Sequence, residues 1–147
     1  MERVVAAVDG SEAALKAVDF AAKLAAQTKV ELAIITVVDE AYVGDRALKE
    51  FARVEHFAST WYDLSETRAS EILIVAHGRA AVHEVARVLK EWRTGNPAVQ
   101  IVQYARDKRA DLIVVGHVGH SRLAGVVLGS VAFKLLGTAP CPLTVVR

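Results

Sequence analysis

Short apolar runs along this chain alternate with longer segments in which apolar residues recur every three or four positions. Four of the runs predict β-strands, at residues 3–8, 30–38, 111–115 and 143–146. The second run has so little polar alternation that we expect its strand to be buried on both faces, as in a parallel sheet. A further strand is predicted at residues 83–91, where poor alternation indicates an edge position.

Four helical regions are predicted between these strands. The first begins after an N-cap at Ser11 and ends near Gln27, with a buried side formed by Leu15, Val18, Ala22 and Ala25. The third begins at Asn96-Pro97, with proline in the first turn and an inner side formed by Ala98, Ile101, Val102 and Ala105. The fourth begins at Gly129-Ser130 and continues into the apolar residues 131–136.

The second helical region is the least regular. Its apolar residues form two sets at helical spacing, which we interpret as one interrupted helix: Ala47, Phe51, Val54 and Ala58, then Ala69, Ile72, Leu73, Ala76 and Ala80. Residues 71–78 would also suit a strand by composition, and we favour the helix. Because strands and helices alternate, we predict an α/β protein with one domain over residues 1–147. Its open five-stranded parallel sheet would be covered by helices on both faces.

The composition fits a folded domain and argues against several classes of function. The 147 residues include 18 Lys and Arg against 17 Asp and Glu, so a net charge of +1 gives no reason to expect binding to nucleic acid or an anionic membrane. No apolar stretch approaches the roughly 20 residues that span a bilayer, and we expect a cytoplasmic protein. The lone Cys141 is expected to fill a small apolar space.

Glycines after the fourth strand form the pattern with the clearest chemistry. Gly116 and Gly119 follow that strand directly, and after nine further residues Gly129-Ser130 opens the last helix. Glycines let the chain turn, permit positive φ and let backbone N–H groups approach a ligand. Unpaired amides at a helix N-terminus favour an anion, and Ser130 would add a donor or cap the helix. Together these residues predict a phosphate-binding site.

Asp9 follows the first strand in a similar position. Ligands of open α/β sheets bind beyond the carboxyl ends of the strands where the strand order reverses, and Asp9 and Gly116 both lie at strand ends. Asp9 would accept a hydrogen bond from a ribose hydroxyl there, or would only order the turn at residues 9–11. Each glycine taken alone also fits an ordinary turn, so the combination is what indicates a ligand.

The glycine spacing resembles that of the ATP-binding universal stress proteins, in which GxxG is followed by nine residues and then G(S/T). The likeness continues through AVDGS at residues 7–11, ITVVDE at 35–40, GNPA at 95–98, DLIVVG at 111–116 and APCPLTVVR at 139–147. The resemblance implies a Rossmann-like fold of the adenine nucleotide alpha hydrolase type with strand order 3-2-1-4-5. It also implies a homodimer joined through the last strand, with ATP bound where the strand order reverses.

The resemblance further implies a set of nucleotide-binding residues. Asp9 would contact the nucleoside, the backbone near Val37 would face the adenine edge, and Gly116 would lie by the ribose. The full set is Val8, Asp9, Val37, Val115, Gly116, Gly119, Gly129, Ser130 and Val131. ATP, or AMP or ADP, would bind with magnesium held through the phosphates. A signalling or stress-response module with at most slow ATP hydrolysis is the function implied.

Two alternatives stay open. Many universal stress proteins have Ser or Thr and then His after the first glycine, where this chain has His117 and Val118. A structural or partner-binding member without nucleotide affinity would therefore also fit. His117, Gly119 and His120 also spell the HxGH motif of nucleotidyltransferases, whose histidines stabilise charge on a transferring phosphate. That motif follows the first strand of those enzymes, whereas here it follows the fourth. No metal site is predicted, because two histidines on a loop make a weak ligand set.

Overall fold

The computed structural model describes residues 1–39, 57–119 and 127–147. In that part of the chain, strands and helices alternate as the apolar pattern predicts. In chain order, the elements are β1 (Arg3–Ala7), α1 (Glu12–Thr28), β2 (Glu31–Val38), α2 (Phe57–Ala81), β3 (Val88–Thr94), α3 (Pro97–Asp107), β4 (Leu112–Gly116), α4 (Ser130–Thr138) and β5 (Leu143–Val146).

The five strands form one parallel sheet in the order β3-β2-β1-β4-β5. β1 lies at the centre, with Val5 paired to Ala33 of β2 on one side and to Ile113 of β4 on the other. The chain builds outward from β1 in both directions, so the strand order reverses between β1 and β4. The predicted α/β class, parallel sheet and strand order are confirmed.

Helices cover both faces of the sheet, and each face has its own buried core. α1 and α2 pack over one face, where Val4 and Ile34 are fully buried. α3 and α4 pack over the other face, where the adjacent residues Val5 and Ile35 are fully buried. β2 is buried along almost its whole length, as its uninterrupted apolar run predicts.

The predicted starts of α1 and α3 are confirmed by their caps. The Ser11 hydroxyl accepts a hydrogen bond from the Ala14 N–H at 3.2 Å, and the Asn96 side chain accepts one from the Val99 N–H at 3.3 Å. Pro97 occupies the first turn of α3. The buried sides of both helices are those predicted: Leu15, Val18, Ala22 and Ala25 in α1, and Ala98, Ile101, Val102 and Ala105 in α3.

α2 includes residues 71–78, so the helix favoured there over a strand is confirmed. Its buried side contains the predicted set: Ala69, Ile72, Leu73, Ala76 and Ala80. The helix is continuous over its 25 residues. Of the earlier apolar set, Ala47, Phe51 and Val54 lie outside the described residues, and Ala58 falls in the first turn of α2. Neither α2 nor any other helix in the described part of the chain is long and apolar enough to cross a membrane.

The boundaries predicted for the third strand are wrong. β3 occupies Val88–Thr94 rather than residues 83–91, because it pairs along almost the full length of β2. Residues 83–87 instead connect α2 to the strand, and Glu84 has a left-handed backbone there, with φ of 56°. The predicted edge position is confirmed, since β2 is the one neighbour of β3 in the sheet.

The end of β4 approaches the start of α1 so closely that only glycine fits. A Cβ atom at Gly116 would lie 2.7 Å from the backbone carbon of Ala13 and 2.7 Å from the backbone nitrogen of Ala14. The φ of Gly116 lies outside the left-handed region, so lack of space is what requires glycine. This contact holds the N-terminus of α1 beside the carboxyl end of β4.

Tyr104 of α3 is the largest fully buried side chain among the described residues, and its hydroxyl has no hydrogen-bond partner in that part of the chain. Burial raises the pKa of Tyr104 to about 12, with a smaller contribution from the Glu91 carboxylate. The Arg93 guanidinium and the Lys108 ammonium lie 5.1 and 5.5 Å from the ring centroid, within the range of cation–π attraction. The ring therefore stabilises the fold, whereas the hydroxyl does not.

Replacing Gly116 with alanine is expected to lower the free energy of unfolding by about 1–3 kcal/mol, because the new methyl group would force α1 away from β4. Urea denaturation followed by circular dichroism would measure the change. Gly78→Ala is the matched control, since a Cβ atom there meets nothing within 4 Å. Alanine in a helix is more stable than glycine by about 0.5–1 kcal/mol. Equal stability of Gly116→Ala and the wild type would contradict the close contact.

Tyr104→Phe is expected to leave the free energy of unfolding unchanged or to raise it by up to about 1 kcal/mol, since an unpaired buried hydroxyl costs about 1–3 kcal/mol. Phenylalanine keeps the ring beneath the two cationic groups. The same urea titration measures the effect, with the half-exposed Tyr62→Phe as the control. A loss of more than about 1 kcal/mol would mean that the Tyr104 hydroxyl has a partner.

Candidate functional site

The carboxyl ends of β1, β2 and β4 open into a cleft of about 690 Å³. Small-molecule sites typically enclose ~300–1,000 Å³. The cleft lies where the strand order reverses, which is where open α/β sheets bind ligands. All nine predicted site residues line it: Val8, Asp9, Val37, Val115, Gly116, Gly119, Gly129, Ser130 and Val131.

The sheet end of the cleft is mostly apolar. Val8 follows β1, Val37 and Val38 end β2, Val115 lies in β4, and Ile101 of α3 joins them. Side chains of this kind suit a planar ring system, because they cover its faces without competing for hydrogen bonds.

β2 extends past the end of β1, and this leaves part of its backbone facing the cleft. The hydrogen bonds between the two strands end with the Val8 N–H, which donates to the Ile35 carbonyl at 2.9 Å. Alternate residues of a strand present their N–H and C=O groups to the same side, so Val37 also faces the β1 side. β1 has no further residue opposite it. The Val37 backbone therefore offers one donor and one acceptor to a ligand.

Asp9 is held in place by the turn that leads into α1. Its Oδ1 atom accepts a hydrogen bond from the Ser11 N–H at 2.9 Å, and Gly10 between them has a φ of 85°. A Cβ atom at Gly119 would lie 2.6 Å from Asp9 Oδ2, so the absence of a side chain at Gly119 makes room for the carboxylate. Asp9 thus orders the turn and lines the cleft, and the two roles considered for it from the sequence are compatible.

The N-terminus of α4 presents free amides to the cleft. Gly129 is the N-cap, and no side chain caps the helix. The first backbone hydrogen bond of the helix runs from the Phe133 N–H to the Gly129 carbonyl at 2.9 Å. The amides of Ser130, Val131 and Ala132 therefore have no partner in the described part of the chain. The positive end of the helix dipole adds to the attraction for an anion.

The structure separates the roles of Gly129 and Ser130 at this helix start. Ser130 does not cap α4, because it is the first helical residue and Gly129 takes the cap position. The Gly129 N–H donates to the His117 carbonyl at 2.6 Å. That bond joins the turn after β4 to the start of α4, and the donors left for a ligand lie one residue further along the helix.

Positive φ does not explain the three cleft glycines. Gly116 and Gly119 lie outside the left-handed region, so positive φ, one of the reasons considered for glycine at these two positions, does not apply there, and Gly129 lies outside that region too. Close packing explains them instead. A Cβ atom at Gly129 would lie 3.2 Å from Val118 Cα and 3.3 Å from the His117 carbonyl oxygen, and the other two glycines have closer contacts still.

His117 is directed toward β5. Its ring Nδ1 lies 3.2 Å from the Val146 carbonyl oxygen, and its backbone N–H donates to the same oxygen at 2.8 Å. Val118 and Gly119 line the cleft, whereas His117 is not among the cleft-lining residues. His120, the second histidine of the HxGH motif, lies outside the described residues. The side chain that a nucleotidyltransferase would direct at a phosphate is therefore turned to the sheet edge.

One wall of the cleft was not predicted from the sequence. It belongs to α2, which contributes Leu64, Thr67, Arg68, Glu71 and Ile72. The signal available was topological, since α2 follows β2 and must begin near the carboxyl edge of the sheet. Asp39, just beyond β2, also lines the cleft. Arg68 and Glu71 bring a cation and an anion to the cleft, and their nearest charged atoms lie 3.8 Å apart.

Cys141 and metal binding are the remaining predictions about chemistry. Cys141 is half-buried and packs against the core under α3 and α4, as predicted. Burial raises the pKa of its thiol, which keeps it protonated and unreactive at neutral pH. Within residues 1–39, 57–119 and 127–147, no three His, Cys, Asp or Glu side chains are grouped to hold a metal ion.

Comparison with known proteins gives a consistent result. The model of the universal stress protein family matches residues 1–147. Universal stress protein YxiE of Bacillus subtilis is 35% identical over 146 residues, covering 99% of this chain and 98% of the relative.

Solved structures show the same fold. Universal stress protein UspA from Lactobacillus plantarum superimposes with a TM-score of 0.81 at 24% identity, covering 99% of this chain and 97% of that one. A universal stress protein in complex with cAMP superimposes with a TM-score of 0.67 at 27% identity, covering 99% and 96%. With the whole chain matched by the family model and by a relative of nearly equal length, this chain belongs to the universal stress protein family.

Proposed function

We propose that this chain is a single adenine-nucleotide-binding domain that acts as a cytoplasmic signalling or stress-response module. The observation that carries the proposal is that backbone groups without a partner among the described residues converge on one cleft. Val37 offers its N–H and C=O from β2, and Ser130, Val131 and Ala132 offer their amides from α4. Such an arrangement suits a planar base at one end and a phosphate at the other.

The end of β2 would recognise the base. Adenine presents an exocyclic amino donor beside a ring-nitrogen acceptor, and Val37 offers a matching C=O acceptor and N–H donor. Val38 and Ile101 line the same part of the cleft and would cover the faces of the ring. A base bound in this way makes specific hydrogen bonds without any polar side chain.

The ribose and phosphates would extend from there toward α4. Asp9 would accept a hydrogen bond from a ribose hydroxyl, and the three free amides of α4 would donate to phosphate oxygens. Magnesium would be held through the phosphate oxygens of ATP or ADP. No residue with a catalytic role is proposed, and at most slow hydrolysis of ATP is expected.

The family relationship supports the class of ligand. The related universal stress protein in complex with cAMP is 27% identical to this chain over nearly its whole length. Because cAMP and the proposed ligands ATP, ADP and AMP share the adenosine part, the end of β2 and Asp9 would meet the same chemical groups in each.

A homodimer joined through β5 is the second part of the proposal. β5 is the outermost strand beside β4, and its residues are only half-buried. The Val146 carbonyl accepts from the His117 N–H at 2.8 Å, so Val146 faces β4. By alternation along the strand, the Val145 N–H and C=O face the open edge. A second copy of the chain would pair with these groups and cover the edge.

Gly119→Ala tests the nucleotide site. A Cβ atom there would displace the Asp9 carboxylate, and we expect affinity for AMP, ADP or ATP to fall about tenfold through loss of a hydrogen bond to a charged group. Isothermal titration calorimetry on the wild type and the variant would measure this. Gly137→Ala is the control, because a Cβ atom at Gly137 meets nothing within 4 Å.

Two results would contradict this account. If the wild type binds none of the three nucleotides, the nucleotide proposal is wrong and the partner-binding alternative takes its place. If Gly119→Ala binds as tightly as the wild type while Asp9 is displaced, as seen in a crystal structure, then the Asp9 carboxylate does not contact the nucleoside.

Val145→Pro tests the dimer. Proline would remove an N–H that faces the open edge while leaving the pairing with β4 intact, so we expect a monomer that remains folded. Sedimentation equilibrium would give the dimer dissociation constant, which should rise at least tenfold. Thr144→Pro is the control, because it removes an N–H that faces β4 and should lower the unfolding temperature instead. A Val145→Pro variant that sediments as a dimer would argue against pairing through β5.

A further inference from the structure

Arg68 of α2 is the one cation among the cleft-lining residues that the structure describes. Asp9, Asp39 and Glu71 line the same cleft, so the charge of its described lining is negative overall. Among the described lining residues, Arg68 alone offers a phosphate a positively charged side chain. How strongly Arg68 is held by its own neighbours therefore matters for binding.

The Arg68 side chain is only weakly held. Its closest charged partner in the described part of the chain is Glu71, with the nearest nitrogen and oxygen 3.8 Å apart. The two side chains are 46% and 64% exposed, and exposed pairs of this kind contribute little to stability. The order along the helix, with the basic residue before the acidic one, is also the less favourable one.

Two other arginines in this molecule have guanidinium groups that are held by short hydrogen bonds to carboxylates. The Arg79 Nε–H donates to both carboxylate oxygens of Asp19 at 3.0 Å. The Arg93 Nε–H donates to Glu91 at 2.9 Å. No hydrogen bond of this length joins the Arg68 guanidinium to the described residues. Arg68 is therefore held less firmly by the described residues than Arg79 and Arg93 are.

We propose that Arg68 binds the phosphate of the nucleotide and that its guanidinium leaves Glu71 to do so. This inference rests on the proposed function. The planar guanidinium donates two parallel hydrogen bonds to phosphate oxygens, which a lysine ammonium does not do. α2 and α4 cover opposite faces of the sheet. Arg68 and the first residues of α4 line the same cleft, so the guanidinium would approach the phosphate from the α2 wall and the backbone amides from the α4 wall.

Glu71 has a defined part in this arrangement. It competes with the phosphate for the Arg68 guanidinium, and its charge repels the ligand. Removing the charge of Glu71 should therefore raise affinity for a phosphorylated ligand, whereas removing the charge of Arg68 should lower it. Neither change should affect a ligand that has the same base and ribose but no phosphate.

The test compares AMP with adenosine by isothermal titration calorimetry on four proteins: the wild type, Arg68→Gln, Glu71→Gln and Arg106→Gln. We expect Arg68→Gln to weaken AMP binding about tenfold and Glu71→Gln to strengthen it about twofold to threefold, with adenosine binding changed less than twofold in each. Arg106→Gln removes an equal charge from an exposed position on α3 outside the cleft, and should change neither ligand. Arg68→Lys should recover only part of the loss.

The possible failures are distinguishable. If the wild type binds neither AMP nor adenosine, both the proposed function and this inference are wrong. If the wild type binds both, and Arg68→Gln either keeps its affinity for AMP or weakens both ligands equally, only the role of Arg68 is wrong. If Arg68→Gln proves misfolded by circular dichroism, an unchanged affinity of Glu71→Gln for AMP is enough to overturn the inference.

Discussion

The pairing of β1 with two neighbours determines the architecture of this protein. β1 is buried between β2 and β4, and the connections that leave it build the sheet outward in both directions. The segments that follow β1 and β4 therefore separate at the carboxyl edge and leave a cleft between them. The tight contact at Gly116 fixes α1 beside that cleft. The Asp9 carboxylate lies close to Gly119 there. The candidate site is thus a product of strand order more than of any single loop.

Much of this fold is predictable from the sequence, because each helix and each interior strand presents a continuous apolar side. The caps at Ser11 and Asn96 carry local signals, which explains why the starts of α1 and α3 were predicted correctly. Strand order is not predictable in this way, because the periodicity of apolar residues does not reveal which strands pair. The strand order was predicted from the family resemblance. β3 was misplaced because Glu91 and Arg93 obscure its alternation and because pairing with β2 sets its ends.

The nine residues predicted for the site come together in one cleft, but the structure gives some of them other roles than the sequence suggested. All nine residues line the cleft, yet the close contact that requires glycine at position 116 is with α1, and the Gly129 amide is bonded to His117. A glycine in a motif shows that space is needed there without showing what fills it. Arg68 was missed because its place in the cleft depends on the direction of α2, which sequence spacing does not reveal.

The two edges of the sheet differ in how readily another strand would pair with them. β3 presents Lys90, Glu91 and Arg93 at one edge, and charged side chains of this kind discourage further strands from joining. β5 at the opposite edge has none, with only Leu143, Thr144, Val145 and Val146. Strand addition would then stop after one symmetric pairing, since each copy has a single receptive edge. A pair formed through β5 would therefore not grow into an open-ended filament.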